Sequence, residues 1–187
     1  MAKCLIESSL LLIPALTIAQ TLCLIMKKLL FILIMMFSIQ SFACSCECNW
    51  DCRFGAVSDN QEFVALIKVI EYTDYLEHRN KKFPYSITVE IIKKYKGSES
   101  RKRIKIWGDN GMLCRPYIEE FKVAKYYLIA PSKIEYDSKP AQKNDYDLFS
   151  CHTDYLEVDY EKKTAYGDYS WWRKEISLKN FESKLNK

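Results

Sequence analysis

Phe83-Pro84-Tyr85-Ser86-Ile87-Thr88-Val89-Glu90-Ile91 decides the fold. Large apolar side chains stand at every second position, and Ser86, Thr88 and Glu90 fill the places between them. A period of two marks a strand with one face on a core and one in water. Lys96-Gly97-Ser98 breaks the run, as glycine does. Arg103-Ile104-Lys105-Ile106-Trp107 then resumes the alternation, so the two segments are expected to pair as a hairpin. Upstream, Phe63-Val64-Ala65-Leu66-Ile67-Lys68-Val69-Ile70 is rich in β-branched residues and apolar on both faces at its start, and reads as a buried strand. Downstream, Gly108-Asp109-Asn110-Gly111 reads as a turn, residues 116–121 as an irregular or short helical segment, and residues 126–130 as a strand stopped by Pro131. Residues 146–151 read as a short last strand, and the polar stretches 72–82 and 132–145 as loops. The expectation is a mainly β chain: short strands around one core, closed or nearly closed into a barrel, because closure removes exposed edges. Past Cys151, Trp171, Leu178, Phe181 and Leu185 recur at helical spacing behind Ser170 as a possible N-cap. This predicts a C-terminal helix over about 170–185, with Trp171 and Trp172 as packing residues rather than a ligand platform.

The N-terminal part stands outside that core. Met26-Lys27-Lys28 is a basic start, residues 29–37 are apolar, and Ser41-Phe42-Ala43 supplies small residues at the −3 and −1 positions of a cleavage site. This is the pattern of a secretory signal peptide. Residues 10–25 form a second apolar stretch interrupted by Pro14. Three readings of it stand open: a start at Met26, one long signal, or a retained anchor over 10–37, in which Lys27-Lys28 would be costly. The expected organisation is an extension and signal over 1–43 (the signal proper 26–43), a barrel over 44–152 and a tail over 153–187. The mature chain is expected to be secreted or periplasmic, with no stable membrane span.

The chain carries 28 Lys and Arg against 24 Asp and Glu. Loss of Lys3, Lys27, Lys28 and Glu7 with the leader brings its charge closer to balance. No basic stripe stands out, so nucleic acid is not an expected partner. Lys93-Lys94, Lys96 and Arg101-Lys102-Arg103 flank one turn and read as a solvated hairpin end. Cleavage leaves Cys44, Cys46, Cys48, Cys52, Cys114 and Cys151, an even set that in an exported chain argues for disulfides, with the pairing open. As thiolates the first four could hold zinc or copper, but export favours bridges. His78 and His152 are the two histidines, and neither lies in a nucleophile or zinc motif. No glycine-rich phosphate loop appears. The chain is therefore not expected to be an enzyme or to carry a cofactor.

Cys44-Ser45-Cys46 after the cleavage site, the apolar strand from Phe63, Tyr95-Lys96-Gly97, Cys114, Phe121-Lys122-Val123-Ala124-Lys125-Tyr126-Tyr127-Leu128-Ile129-Ala130 and Cys151 follow in order. Together they resemble the N-terminal domain of the tissue inhibitors of metalloproteinases, in a short bacterial-type form, over about residues 44–151. The resemblance implies a five-stranded OB-type barrel of the netrin-like group. It also implies bridges from Cys44 to Cys114 and from Cys46 to Cys151, which leave Cys48 and Cys52 to each other. Three departures stand out. The family's third long-range bridge has no match, Ala124 stands where glycine is usual, and the tail replaces the second domain of the animal inhibitors.

The same resemblance implies inhibition without catalysis. A free Cys44 offers its α-amine, with a pKa of about 8, and its own carbonyl oxygen as a chelate for the catalytic zinc of a target protease. Such a zinc keeps one position open for water. Ser45 would enter the pocket beyond the scissile bond, Cys46 and Glu47 would continue through the cleft, and Met112 and Leu113 beside Cys114 would form the second edge of the wedge. The loop 72–82 could reach further along the target. The partner is then a zinc metalloprotease, and the inhibitor, a monomer, needs no metal of its own. The alternative is a disulfide-stabilised extracellular or envelope-associated binding module, including a lipoprotein acylated at Cys44. The two readings are opposed, because acylation would occupy the amine.

Overall fold

The computed structural model describes residues 25–32, 51–78 and 80–185. The chain divides into two units, Met1–Ala43 and Cys44–Lys187. In the first, residues 25–32 are helical (α1), and all its apolar side chains are more than half exposed.

The second unit is mainly β. Its strands are β1 (Val64–Tyr72), β2 (Tyr75–His78), β3 (Lys81–Pro84), β4 (Ser86–Lys96), β5 (Arg103–Trp107), β6 (Tyr126–Ile129), β7 (Ser132–Lys133), β8 (Tyr146–Asp147), β9 (Tyr155–Asp159), β10 (Thr164–Ser170) and β11 (Arg173–Ser177). Helix α2 (Phe54–Asn60) precedes them, α3 (Leu178–Leu185) ends them, and a 3-10 turn spans Ile118–Glu120. One nine-stranded sheet runs β11-β10-β9-β6-β1-β4-β5-β8-β7, and β2 and β3 form a separate hairpin. The sheet is mixed because β8 joins β5 in parallel. Among the described residues it closes into no barrel.

The expected hairpin is present: β4 pairs β5 with Ile87 opposite Ile106 and Val89 opposite Ile104. The buried strand is also present, and its two apolar faces have a reason. Ala65, Ile67 and Val69 of β1 point into a core shared with Ile87, Val89, Ile104, Ile106, Tyr127, Ile129, Tyr146 and Leu148. Val64 and Leu66 point the other way, into a second core with Leu128, Leu156, Val158, Ala165, Ile176 and residues of α2 and α3. Successive strand residues face opposite sides, so the part of a strand that lies between two cores, here Val64 to Ile67, is apolar on both faces.

That second core corrects the expectation for the tail. Residues 153–187 are not a separate appendage, because β9 pairs β6 with Leu128 opposite Leu156, and β10 and β11 extend the same sheet. The helix expected over about 170–185 begins only at Leu178. Trp171 and Trp172 instead form the two-residue turn between Ser170 and Arg173, which face each other across the hairpin. They are 66% and 95% exposed, so neither is a core residue, although Trp171 packs at the edge against the Arg53 guanidinium, 3.5 Å from its ring centroid. The helical spacing from Trp171 was accidental, because pairing with β10 already uses the backbone of residues 173–177. Ser177, not Ser170, stands at the helix start, where its Oγ accepts the Asn180 N–H at 3.3 Å.

The two polar stretches also carry structure. Residues 72–82 hold β2 and the start of β3, paired from Tyr75–Pro84 to His78–Lys81, and residues 132–145 hold β7 and a bridge between Ser138 and Ala141. Ala124 lies in the left-handed region at φ 67 and donates its N–H to the Val69 carbonyl at 2.9 Å. An L-residue with a Cβ is strained there and glycine is not.

Two outcomes test this packing. Ala124→Gly should raise stability by about 1 kcal/mol, measured by urea unfolding. Phe181 of α3 is fully buried against the rings of Phe54, Tyr95 and Tyr169, so Phe181→Ala should cost about 3–5 kcal/mol. A loss well below 1 kcal/mol would mean that α3 is peripheral.

Candidate functional site

β1 ends, β4 begins and β5 ends at one end of the sheet, where Tyr72 lies opposite Ile87 and Ser86 opposite Trp107. Here Gly108 donates to the Tyr85 carbonyl at 2.9 Å and the chain leaves β5. The expected turn follows. Asp109 Oδ1 accepts the N–H groups of Met112 at 3.1 Å and Leu113 at 2.7 Å, and Asn110 Oδ1 accepts that of Met112 at 3.0 Å. Carboxylate and amide side chains thus hold the backbone of the loop and push its apolar side chains outward. Met112 is 84% exposed and Leu113 40%.

The next residue, Cys114, has φ 55, and its carbonyl accepts the Ser150 N–H at 2.8 Å. The Cys52 carbonyl accepts the Thr153 N–H at 2.7 Å. Cys151 lies between Ser150 and Thr153, so Cys52, Cys114 and Cys151 gather around one short segment. All three are disulfide-bonded. The expected partners Cys44, Cys46 and Cys48, and the wedge residues Ser45 and Glu47, lie outside the described residues. Of the expected site, the structure brings Met112, Leu113 and Cys114 together with Cys52 and Cys151.

An ion pair and a hydrogen-bonded His–Asp pair flank the segment. Arg115 Nη2 donates to Asp147 Oδ2 at 2.5 Å. Burial raises the Asp147 carboxyl above its ordinary pKa, and Arg115 opposes this. Asp154 is 1% exposed and is the only buried charged residue among those described. Its Oδ2 accepts the Phe149 N–H at 2.6 Å, and its Oδ1 bonds His152 Nδ1. Burial pushes its pKa up to about 6; Phe149 and His152 pull it back, and the charge of Asp147 adds to the rise. Sequence reasoning missed this pair, because His-x-Asp carries no motif and burial is set by strands distant in the chain. His78, at the end of β2, is exposed and meets no part of the site. Among the described residues no group of His, Cys, Asp and Glu could hold a metal, and no helix is long and apolar enough to cross a membrane.

No family model matches the chain, and no curated protein does. The site therefore stands on its geometry alone.

The buried carboxyl gives a pH signature. Its folded pKa of about 6 lies above the unfolded value of about 3.9, so the folded state binds the extra proton. The stabilisation is full below about pH 4 and is lost as pH rises through about 6. Glu99, pulled down to about 2 chiefly by its hydrogen bonds from Arg101, acts in the opposite sense at lower pH: its contribution is lost as pH falls through about 2. Between about pH 4 and 6, Asp154 should lower stability by roughly 2–3 kcal/mol. Asp154→Asn should flatten that decline in urea midpoints taken across the range, and an unchanged slope would contradict the assignment.

Proposed function

We propose that this chain is a secreted inhibitor of a zinc metalloprotease that acts as a stoichiometric wedge, without catalysis, cofactor or resident metal. The observation that carries the proposal is the convergence of three disulfide-bonded cysteines on residues 150–153, beside the exposed Met112 and Leu113. A cysteine-rich segment that begins at Cys44 and enters this end through Cys52 has its anchoring points next to an apolar loop. Bridging Cys44 to Cys114 would set the α-amine and carbonyl of Cys44 beside that loop. Held there, the strip loses little freedom on docking. The amine, neutral in appreciable fraction near pH 7, and the carbonyl displace water from the zinc of the target. A zinc without its water has no nucleophile to offer a peptide.

The OB-type barrel belongs to the same proposal. β1, β4 and β5 form a meander. β8 joins β5 in parallel, and β6 pairs the free side of β1. β7 follows β6 after Ala130-Pro131 and pairs β8. This circuit supports a five-stranded OB-type arrangement whose fourth strand is interrupted at Pro131, with β9, β10 and β11 added to its outside. The left-handed Ala124 supports it too, because the resemblance puts glycine at that place.

The test is titration of a panel of zinc metalloproteases with the exported chain, once its N-terminus is established as Cys44. Inhibition of at least one target is expected. It should be abolished by Ser45→Arg and by one residue added before Cys44. Undiminished inhibition by the extended chain would overturn chelation, and no inhibition across the panel by a chain with a free Cys44 would overturn the inhibitor reading.

A further inference from the structure

Arg53 stands at the N-cap of α2, where its chemistry does not fit. Caps are usually serine, threonine, aspartate or asparagine, whose side chains accept a backbone N–H, and the positive end of a helix disfavours a cation. Arg53 makes no side-chain cap, and only its carbonyl serves the helix, accepting the Ala56 and Val57 N–H groups at 3.0 Å. The side chain is engaged elsewhere. Nη1 donates to Asp51 Oδ1 at 2.9 Å, the Arg53 backbone N–H donates to the same oxygen at 3.0 Å, and the guanidinium lies 3.5 Å from the centroid of the Trp171 ring. Between them lies Cys52, disulfide-bonded and with its carbonyl on the Thr153 N–H. Each residue from Asp51 to Arg53 is thus tied, at the place where the cysteine-rich segment enters α2. The helix itself rests on the same outer strands. The Tyr169 carbonyl of β10 comes so near Gly55 that a Cβ there would lie 2.8 Å from it, and Lys184 of α3 donates to the Gly55 carbonyl at 3.2 Å and to Asp59 at 3.0 Å.

We infer that Trp171 is a positioning residue for the inhibitory strip: its ring holds the Arg53 guanidinium, and through Arg53 and Asp51 the hairpin of β10 and β11 fixes the root from which that strip departs. The inference rests on the proposed inhibitor. A planar guanidinium stacks on an indole face and is attracted by the ring quadrupole, and the Arg53 side chain is mostly shielded from water, which strengthens the contact. The outer hairpin, which the resemblance does not cover, then has a task in the site. It anchors the strip a second time, independently of the disulfides, and reduces the freedom lost on docking. Trp172, almost fully exposed beside it, serves as an internal control.

The test is hydrogen exchange, read by mass spectrometry, over Asp51–Arg53 of the exported chain, together with inhibition of any zinc metalloprotease that the wild type inhibits. Trp171→Ser should speed exchange at these residues on the order of tenfold. Trp171→Tyr, which keeps a ring for the guanidinium, should stay near the wild-type rate, and Trp172→Ser should not change it. All three should unfold at the wild-type urea midpoint. Inhibition by Trp171→Ser should weaken through faster release and recover in Trp171→Tyr. Unchanged exchange in Trp171→Ser would overturn the inference, whatever inhibition does. So would exchange that rises throughout the domain with a lower urea midpoint, because the stack would then be a general stabiliser, and so would undiminished inhibition despite faster local exchange. Faster local exchange in Trp171→Ser, with no protease inhibited by the wild type, would uphold the clasp and overturn the inhibitor reading instead.

Discussion

The first half of β1, Val64 to Ile67, is buried on both faces, and the rest of the molecule is arranged by that constraint. A strand that exposes neither side needs a layer on each. On one side the faces of β4, β5, β6 and β8 supply it, and on the other β9, β10, β11, α2 and α3 do. β6 carries the same burden beside it, with Tyr127 and Ile129 in one core and Leu128 in the other. Because strand residues alternate strictly, a slip of one residue would send Lys68 into a core. The register of the sheet, and so the position of its ends, is fixed by apolar residues far from the site.

What that register positions is the end where β5 stops. Trp107 is buried and donates its indole N–H to Asp145 at 2.8 Å, so the chain that leaves it starts from a fixed point. Asp109 and Asn110 then spend their side chains on backbone N–H groups, and the segment 149–154 is gripped from inside by Asp154. Ordered backbone, outward apolar side chains and covalent ties thus meet at one place, and the proposed recognition edge rests on that meeting.

Much of the central sheet was legible because its residues obey a simple period. Ile87, Val89, Ile104 and Ile106 alternate cleanly, and the doubly apolar start of β1 announced its position. The outer strands were harder to see. Tyr155-Leu156-Glu157-Val158-Asp159 alternates and could have been read as a strand, but Gly167 blurs β10, and the accidental spacing from Trp171 to Leu185 drew a helix too long. The hairpin of β2 and β3 is charged on both faces and packs chiefly through Leu76, beside Tyr85, Trp107 and Ala141, so no periodicity marked it. For the site, the cysteines and the Met112–Leu113 loop could be named from sequence. Their meeting around Ser150 and Thr153 could not, because it depends on backbone hydrogen bonds between segments up to a hundred residues apart.

The central claim is that disulfides tie the new N-terminus to the Met112–Leu113 loop. The most direct measurement is a disulfide map of the unreduced exported chain by mass spectrometry, with the N-terminus sequenced in the same sample. The account predicts a free α-amine on Cys44, a bridge from Cys44 to Cys114 and a bridge from Cys46 to Cys151. A Cys44 that is acylated, preceded by further residues or joined to any cysteine other than Cys114 would contradict it.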